Sequence, residues 1–218
     1  MKTLAMLLLV ACGAFAVPAA AQNTSAWSEG GLVKKDVPGI DTAYVRPGAT
    51  LAEYQFVMLK PVQVAFRKGF LEQPLPGSKF RMSPKDAQEI RDKVAKLMHD
   101  EFSKELSAGG YRLTDTPGED TLAIEAAIVN LYVAAPKATA APAQRTIALS
   151  AGEMSLVAQF SDSLSGDVLA RVFDYASAHE TTRGQVISSV GNEVEARRII
   201  GEWAKILRRS FDAAHGMK

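Results

Sequence analysis

Apolar residues recur at helical spacing in two stretches of the chain. In "SPKDAQEIRDKVAKLMHDEFSKELSAGG", Ile90, Val94, Leu97, Met98, Phe102 and Leu106 fall on one stripe. Ser83 supplies an N-cap, Pro84 a first-turn proline and Asp86 a charge that complements the helix dipole, and Gly109-Gly110 marks the stop. In "NEVEARRIIGEWAKILRRSFDAAH", Ala196, Ile199, Trp203, Ile206, Leu207 and Phe211 form a second stripe, and Asn192 with Glu195 predicts a capping box at its start.

Elsewhere the period is two. "YQFVMLKPVQVAF" (Tyr54 to Phe66) predicts a first strand, placed at a sheet edge or bulged at Pro61, which has no amide proton to donate. "YRLTD" is a short second strand. In "TLAIEAAIVNLYV" one face carries Leu122, Ile124, Ala126 and Ile128, with Glu125 on the other. "EMSLVAQFSDSLSGDVLARVFDYA" predicts a hairpin turning at Ser165-Gly166, with Phe160 opposite Arg171, Ala158 opposite Phe173 and Leu156 opposite Tyr175. That register puts Leu156, Phe160, Leu169, Phe173 and Tyr175 on one side and Ser155, Gln159, Ser161 and Asp174 on the reverse; Arg171 then sits awkwardly on the apolar side. The pattern predicts an α/β (α+β) domain in the order β-α-β-β-β-β-α. A mixed, mostly antiparallel sheet of about five strands has both amphipathic helices on one face, a two-layer arrangement.

Residues 22–50, punctuated by Gly30-Gly31, Pro38-Gly39 and Pro47-Gly48, show no sustained period. They are expected to form an extended arm held by Val37, Ile40, Tyr44 and Val45, leaving 51–215 as the single domain. "APKATAAPAQRT" reads as a mobile Ala/Pro loop.

The first residues change where the protein is expected to work. Lys2 precedes an apolar run from Leu4 to Val17, too short to span a bilayer and suited to the core of a secretory signal. Ala19, Ala20 and Ala21 fit a signal peptidase pocket, so 1–21 reads as a signal peptide cut between Ala21 and Gln22. The competing cut is at Cys12, the chain's one cysteine, because "LVAC" has the form of a lipobox whose cysteine is acylated. The expectation is a soluble periplasmic protein, with an outer-membrane lipid anchor as the alternative.

Charge and chemistry then narrow the function. The chain carries 25 basic and 24 acidic side chains, which excludes the basic excess of a nucleic-acid binder. Cleavage at Ala21 removes the cysteine, and with it disulfide, thiolate and cysteine–metal chemistry. His99, His179 and His215 are scattered without metal-ligand spacing, G-x-S-x-G and phosphate-loop patterns are absent, and Asp162 with Asp167 reads as turn chemistry around Gly166. No catalytic, cofactor or metal residue is therefore assigned. Arg198, Lys205, Arg208 and Arg209 mark a candidate anion-binding face on the last helix, against the alternative of a solvated face diluted by Glu195, Glu202 and Asp212.

"PGIDTAYVRPGATLAEYQFVMLKPVQV", the hairpin "DSLSGDVL" and a terminal amphipathic helix with Trp203 together resemble domain-of-unknown-function family 3313. The resemblance implies an exported bacterial envelope protein with an α/β domain, often lipoprotein-like, and implies no activity. The leading functional expectation is a non-enzymatic binding or scaffold protein whose partner is an envelope protein or lipid, contacted through the strand Tyr54–Phe66 or the Ala/Pro loop. The alternatives are a carrier for an apolar ligand held between helices and sheet near Phe102, Trp203 and Phe211, and a hydrolase in which His179 or His99 meets a serine.

Overall fold

Both helices form where the apolar stripes place them. In the computed structural model, which describes residues 27–28, 30–75, 79–133, 151–177 and 189–217, α1 spans Pro84–Ala108 and α2 spans Ser189–Ala214. The Ser83 hydroxyl accepts from the Asp86 amide at 3.1 Å, and Gly109 ends α1 where a Cβ would fall 2.8 Å from the Tyr111 ring. Every residue of the first stripe is buried, as are Ala196, Ile199, Trp203, Leu207 and Phe211 of the second; Ile206 is half-buried. The start of α2 corrects the sequence reading: the helix runs through Asn192, so Asn192 is not its N-cap, and Glu195 instead holds Arg198.

The sheet has eight strands among the described residues: β1 (Val33–Lys34), β2 (Thr42–Val45), β3 (Phe56–Leu59), β4 (Gln63–Phe66), β5 (Arg112–Leu113), β6 (Thr121–Val133), β7 (Ala151–Asp162) and β8 (Val168–Ser177). Their spatial order is β1-β2-β8-β7-β6-β3-β5, with β4 also on β6. The surplus over five has two sources. Pro61 breaks the long first strand into β3 and β4, both parallel to β6, because the ladder cannot continue through a residue without an N–H. The supposed arm contributes β1 and β2, and β2 pairs antiparallel with β8. Four residues between two Pro-Gly turns are too few to display a period, which hid β2 in the sequence.

The hairpin register is one residue away from the expected one. Phe160 lies opposite Ala170, Ala158 opposite Val172 and Leu156 opposite Asp174. The turn is longer than two residues: the Asp162 amide donates to the Asp167 carbonyl, and the Asp162 carboxylate accepts from the Leu164 and Ser165 amides at 3.0 and 2.7 Å. A longer turn alone would have kept the faces. The bulge that leaves Leu169 between the pairs Phe160–Ala170 and Ser161–Val168 reverses them, since side chains alternate with period two. Arg171, Phe173 and Tyr175 therefore point away from the helices, and Asp174 points toward them. Arg171 has its partner there, its Nε donating to Gln159 Oε1 at 3.0 Å.

A second irregularity keeps β6 in phase with the core. Asn130 adopts φ 55°, and the ladder to β7 shifts between Val129 and Tyr132. Leu122, Ile124, Ala126 and Ile128 before it, and Leu131 and Val133 after it, all enter one apolar cluster with both helices. Asn tolerates this left-handed conformation better than most side chains. On the opposite face of the sheet Trp27 packs against Tyr44 and Phe173, and Lys60 pairs with Glu125.

Candidate functional site

The near face of β7 and β8, the flank of α2 and residues 35–51 enclose a partly open chamber of about 520 Å³. Its composition explains why it is hollow. Ala43, Ala49, Ala158, Ala170, Ala213 and Ala214 stand on the sheet, loop and helix sides, so the walls are set back where larger side chains would interdigitate. Val37, Ile40, Leu51, Phe102, Leu156, Phe160, Leu169, Val172, Trp203 and Leu207 make the remainder mostly apolar. A partly open, mostly apolar hollow of this size is the candidate site of the described residues.

The segment that roofs the chamber is fastened at both ends of β2. Beyond Val45, Arg46 donates from its amide to the Leu169 carbonyl and from Nε to the Val168 carbonyl, both at 2.7 Å. Before Thr42, the Asp41 amide donates to Asp174 Oδ1 and the Tyr175 amide donates to Asp41 Oδ2, both at 2.9 Å. Asp174 is buried, and its second oxygen accepts from Trp203 Nε1 at 2.7 Å, so one carboxylate ties roof, sheet and helix together. The turn before it rests on α2, where a Cβ on Gly39 would lie 2.9 Å from Ile206 Cδ1, the movable end of that side chain; it is the φ of +85° that calls for glycine.

Burial raises the Asp174 carboxyl above its ordinary value of 3.8, while the hydrogen bonds from Trp203 and Asp41 pull it down without cancelling the shift. Its contribution to stability is therefore complete below the unfolded value and is lost as pH rises through the folded one. Asp174→Asn, which cannot ionise, should gain stability relative to the parent as pH is raised from about 4 to 7. Urea titrations of both proteins across that interval check this; a constant difference contradicts it. Asp162 behaves oppositely: the Ser165 amide, ahead of its other partners, holds its carboxyl below 3.8, so its contribution is lost as pH falls.

The residues singled out in the sequence are distributed as follows. Arg198 grips Glu195 through Nε and Nη2, Lys205 reaches Glu202 at 2.9 Å, and Arg208 lies between Glu105 at 3.4 Å and Asp212 at 3.6 Å. Arg209 is exposed and, among the described residues, makes no ion pair, so the basic side chains do not form one continuous face. His99 is exposed on α1 with Ser103 at 3.5 Å, and His215 lies with Nδ1 2.9 Å from the Phe211 carbonyl oxygen. Phe102 and Trp203 line the chamber; Phe211 is buried beside Tyr111 instead. Cys12, Ala21, Gln22, His179 and the Ala/Pro loop lie outside the described residues. Among those described, no three His, Cys, Asp or Glu side chains gather as metal ligands, and no helix is long and apolar enough to cross a membrane. Sequence reasoning missed Asp174 because the expected register pointed it at solvent. It missed the 35–51 roof because that segment shows no period.

Solved structures similar to this chain include a PelC dodecamer from Paraburkholderia phytofirmans, a minor lipoprotein from Acinetobacter baumannii and a protein from Xanthomonas campestris. The first is 11% identical over 81% of this chain and 98% of its own, with a TM-score of 0.36. The second is 10% identical over 73% and 94%, at 0.33, and the third 11% identical over 74% and 91%, at 0.38. No curated protein matches the chain. The family model described as a protein of unknown function, DUF3313, matches residues 31–207, and the chain belongs to that family.

Proposed function

We propose that the protein is an exported, non-enzymatic binding protein of the bacterial envelope that shelters the apolar part of a small ligand in the chamber under residues 35–51. The chamber itself carries this reading. Its roughly 520 Å³ falls within the 300–1,000 Å³ usual for small-molecule sites, and its walls are alanine-faced and mostly apolar. An apolar body placed there leaves water at about 25 cal/mol per Å² of buried surface. Of the described histidines, His99 stands on an exposed helix face and His215 against its own helix, each away from the chamber. Export is supported by the leader with its cut at Gln22. The intact mass of the mature chain tests both parts: a chain beginning at Gln22 is expected, an acylated Cys12 moves the cut and leaves export standing, and an intact leader contradicts export.

Uptake of the fluorescent apolar probe N-phenyl-1-naphthylamine tests the chamber. The purified protein should bind it saturably, one molecule per chain. Ala158→Phe fills the space from β7 and should reduce affinity at least tenfold, which corresponds to about 1.4 kcal/mol. Ala158 is 3% exposed and its added ring points into a void, so the fold should survive, as far-UV circular dichroism would show. Unsaturable binding, or equal uptake by the filled variant, contradicts the proposal.

A further inference from the structure

A second, more polar recess of about 270 Å³ lies on the outer side of Trp203 and Ile206. Asp174, Tyr175 and Ser177 of β8 and Arg198 and Glu202 of α2 line it, and the Gly39 turn borders it. Trp203 and Ile206 line both this recess and the chamber, so the partition between the two is made of these two side chains. We propose that recess and chamber together form one bipartite site for an amphiphile with a hydroxylated, net uncharged polar end, of the monoacylglycerol class. The acyl body occupies the chamber and the polyol end occupies the recess. This rests on the chamber reading and adds the chemistry of the other half.

The recess lining selects the polar end. Each Asp174 oxygen already accepts one N–H, from Asp41 and from Trp203, and each retains a second lone pair for an incoming hydroxyl. Glu202 faces the same recess with Lys205 2.9 Å from it, and Arg198 presents a guanidinium whose Nε and Nη2 are engaged by Glu195, so each of these charges already has its partner. A carboxylate or phosphate end would meet Asp174 with like charge and find no unpaired cation in the recess, and a quaternary ammonium end, with neither lone pair nor N–H, would make no hydrogen bond with Asp174 or Arg198. A hydroxyl can donate to the carboxylates and accept from the guanidinium, and it enters without a counter-charge.

The partition explains how the two halves communicate. Ile206 is half-buried and touches the roof at Gly39, while Trp203 is held by its hydrogen bond to Asp174. A hydroxyl that takes a remaining lone pair of Asp174 binds the same carboxylate that fixes the indole, so the polar end and the wall of the chamber share one group.

Displacement of bound N-phenyl-1-naphthylamine from the full mature protein tests the proposal, with 1-palmitoylglycerol, palmitate and hexadecyltrimethylammonium as competitors sharing one chain length. The glycerol ester should displace the probe at a concentration about tenfold below either charged competitor, the scale of one hydrogen bond to a charged group. Ala176→Trp, on the same face of β8 as Asp174, fills the recess and should abolish that preference while palmitate still displaces the probe. Glu202→Gln should narrow the gap between the ester and palmitate. Equal displacement by all three competitors overturns the proposal, as does a preference that survives Ala176→Trp, and either result leaves the chamber reading standing. Failure of the parent protein to take up the probe at all sinks the chamber reading and this proposal with it.

Discussion

Replacing Trp203 by alanine should lower the free energy of unfolding by about 3–5 kcal/mol, the range for truncating a large buried aromatic side chain. Trp203 is 4% exposed and stands between two recesses, so its removal merges them instead of leaving a void that neighbours can close. The same change takes one of two donors from the buried Asp174 carboxylate. Trp203→Phe separates the contributions: it keeps most of the apolar surface and loses the hydrogen bond, and should cost about 1–3 kcal/mol. Combining Trp203→Phe with Asp174→Leu should cost less than the sum of the single changes, because the leucine leaves no buried acceptor short of a donor. Urea unfolding of the parent, the three single variants and the double variant measures all of this; a Trp203→Ala cost near that of an exposed residue would contradict the role given to the indole.

The second large effect is expected between the helices. Glu101 is 5% exposed on the buried stripe of α1, where Arg197 Nη1 of α2 donates to Oε1 at 2.5 Å and Lys104 Nζ lies 3.5 Å from Oε2. Gly201 faces the carboxylate, and a Cβ there would lie 4.0 Å from Glu101 Oε2, an ordinary contact. Arg197→Met should cost about 2–3 kcal/mol, less than the 3–5 of a fully buried pair, because the Arg197 side chain is half exposed and Lys104 stays in place. Adding Glu101→Met should recover most of the loss, since an apolar pair of similar volume often matches or exceeds a buried ion pair. A double variant weaker than the Arg197→Met single variant would contradict the desolvation argument.

Legibility in the sequence followed the length over which a pattern could repeat. The stripe from Ile90 to Leu106 spans nearly five turns, with Ser83 and Gly109 as its caps, and each of its residues is buried as read. β2 offers only Thr42 to Val45, and one alternation inside a Pro-Gly-rich stretch does not separate a strand from a tether. The hairpin's faces turned on a single bulge at Leu169, which no side chain there announces, since it arises from how β7 and β8 meet. That residue decided whether Asp174 met solvent or Trp203, and hence whether a latch was visible at all. The chamber was hidden for a related reason. Ala43, Ala158, Ala170 and Ala213 are ordinary one at a time, and a hollow is a relation among segments far apart in the chain.

One measurement bears most directly on the claim that the chamber under residues 35–51 holds an acyl body. In a Trp27→Phe variant Trp203 is the only indole left, and Trp203 lines the chamber. Titration with a monoacylglycerol brominated along its chain should quench Trp203 emission saturably at one molecule per protein. In the complementary Trp203→Phe variant, Trp27 packs on the other face of the sheet against Tyr44 and Phe173 and should stay bright. Quenching of Trp27 alone, or of both indoles in simple proportion to added lipid, would contradict the account.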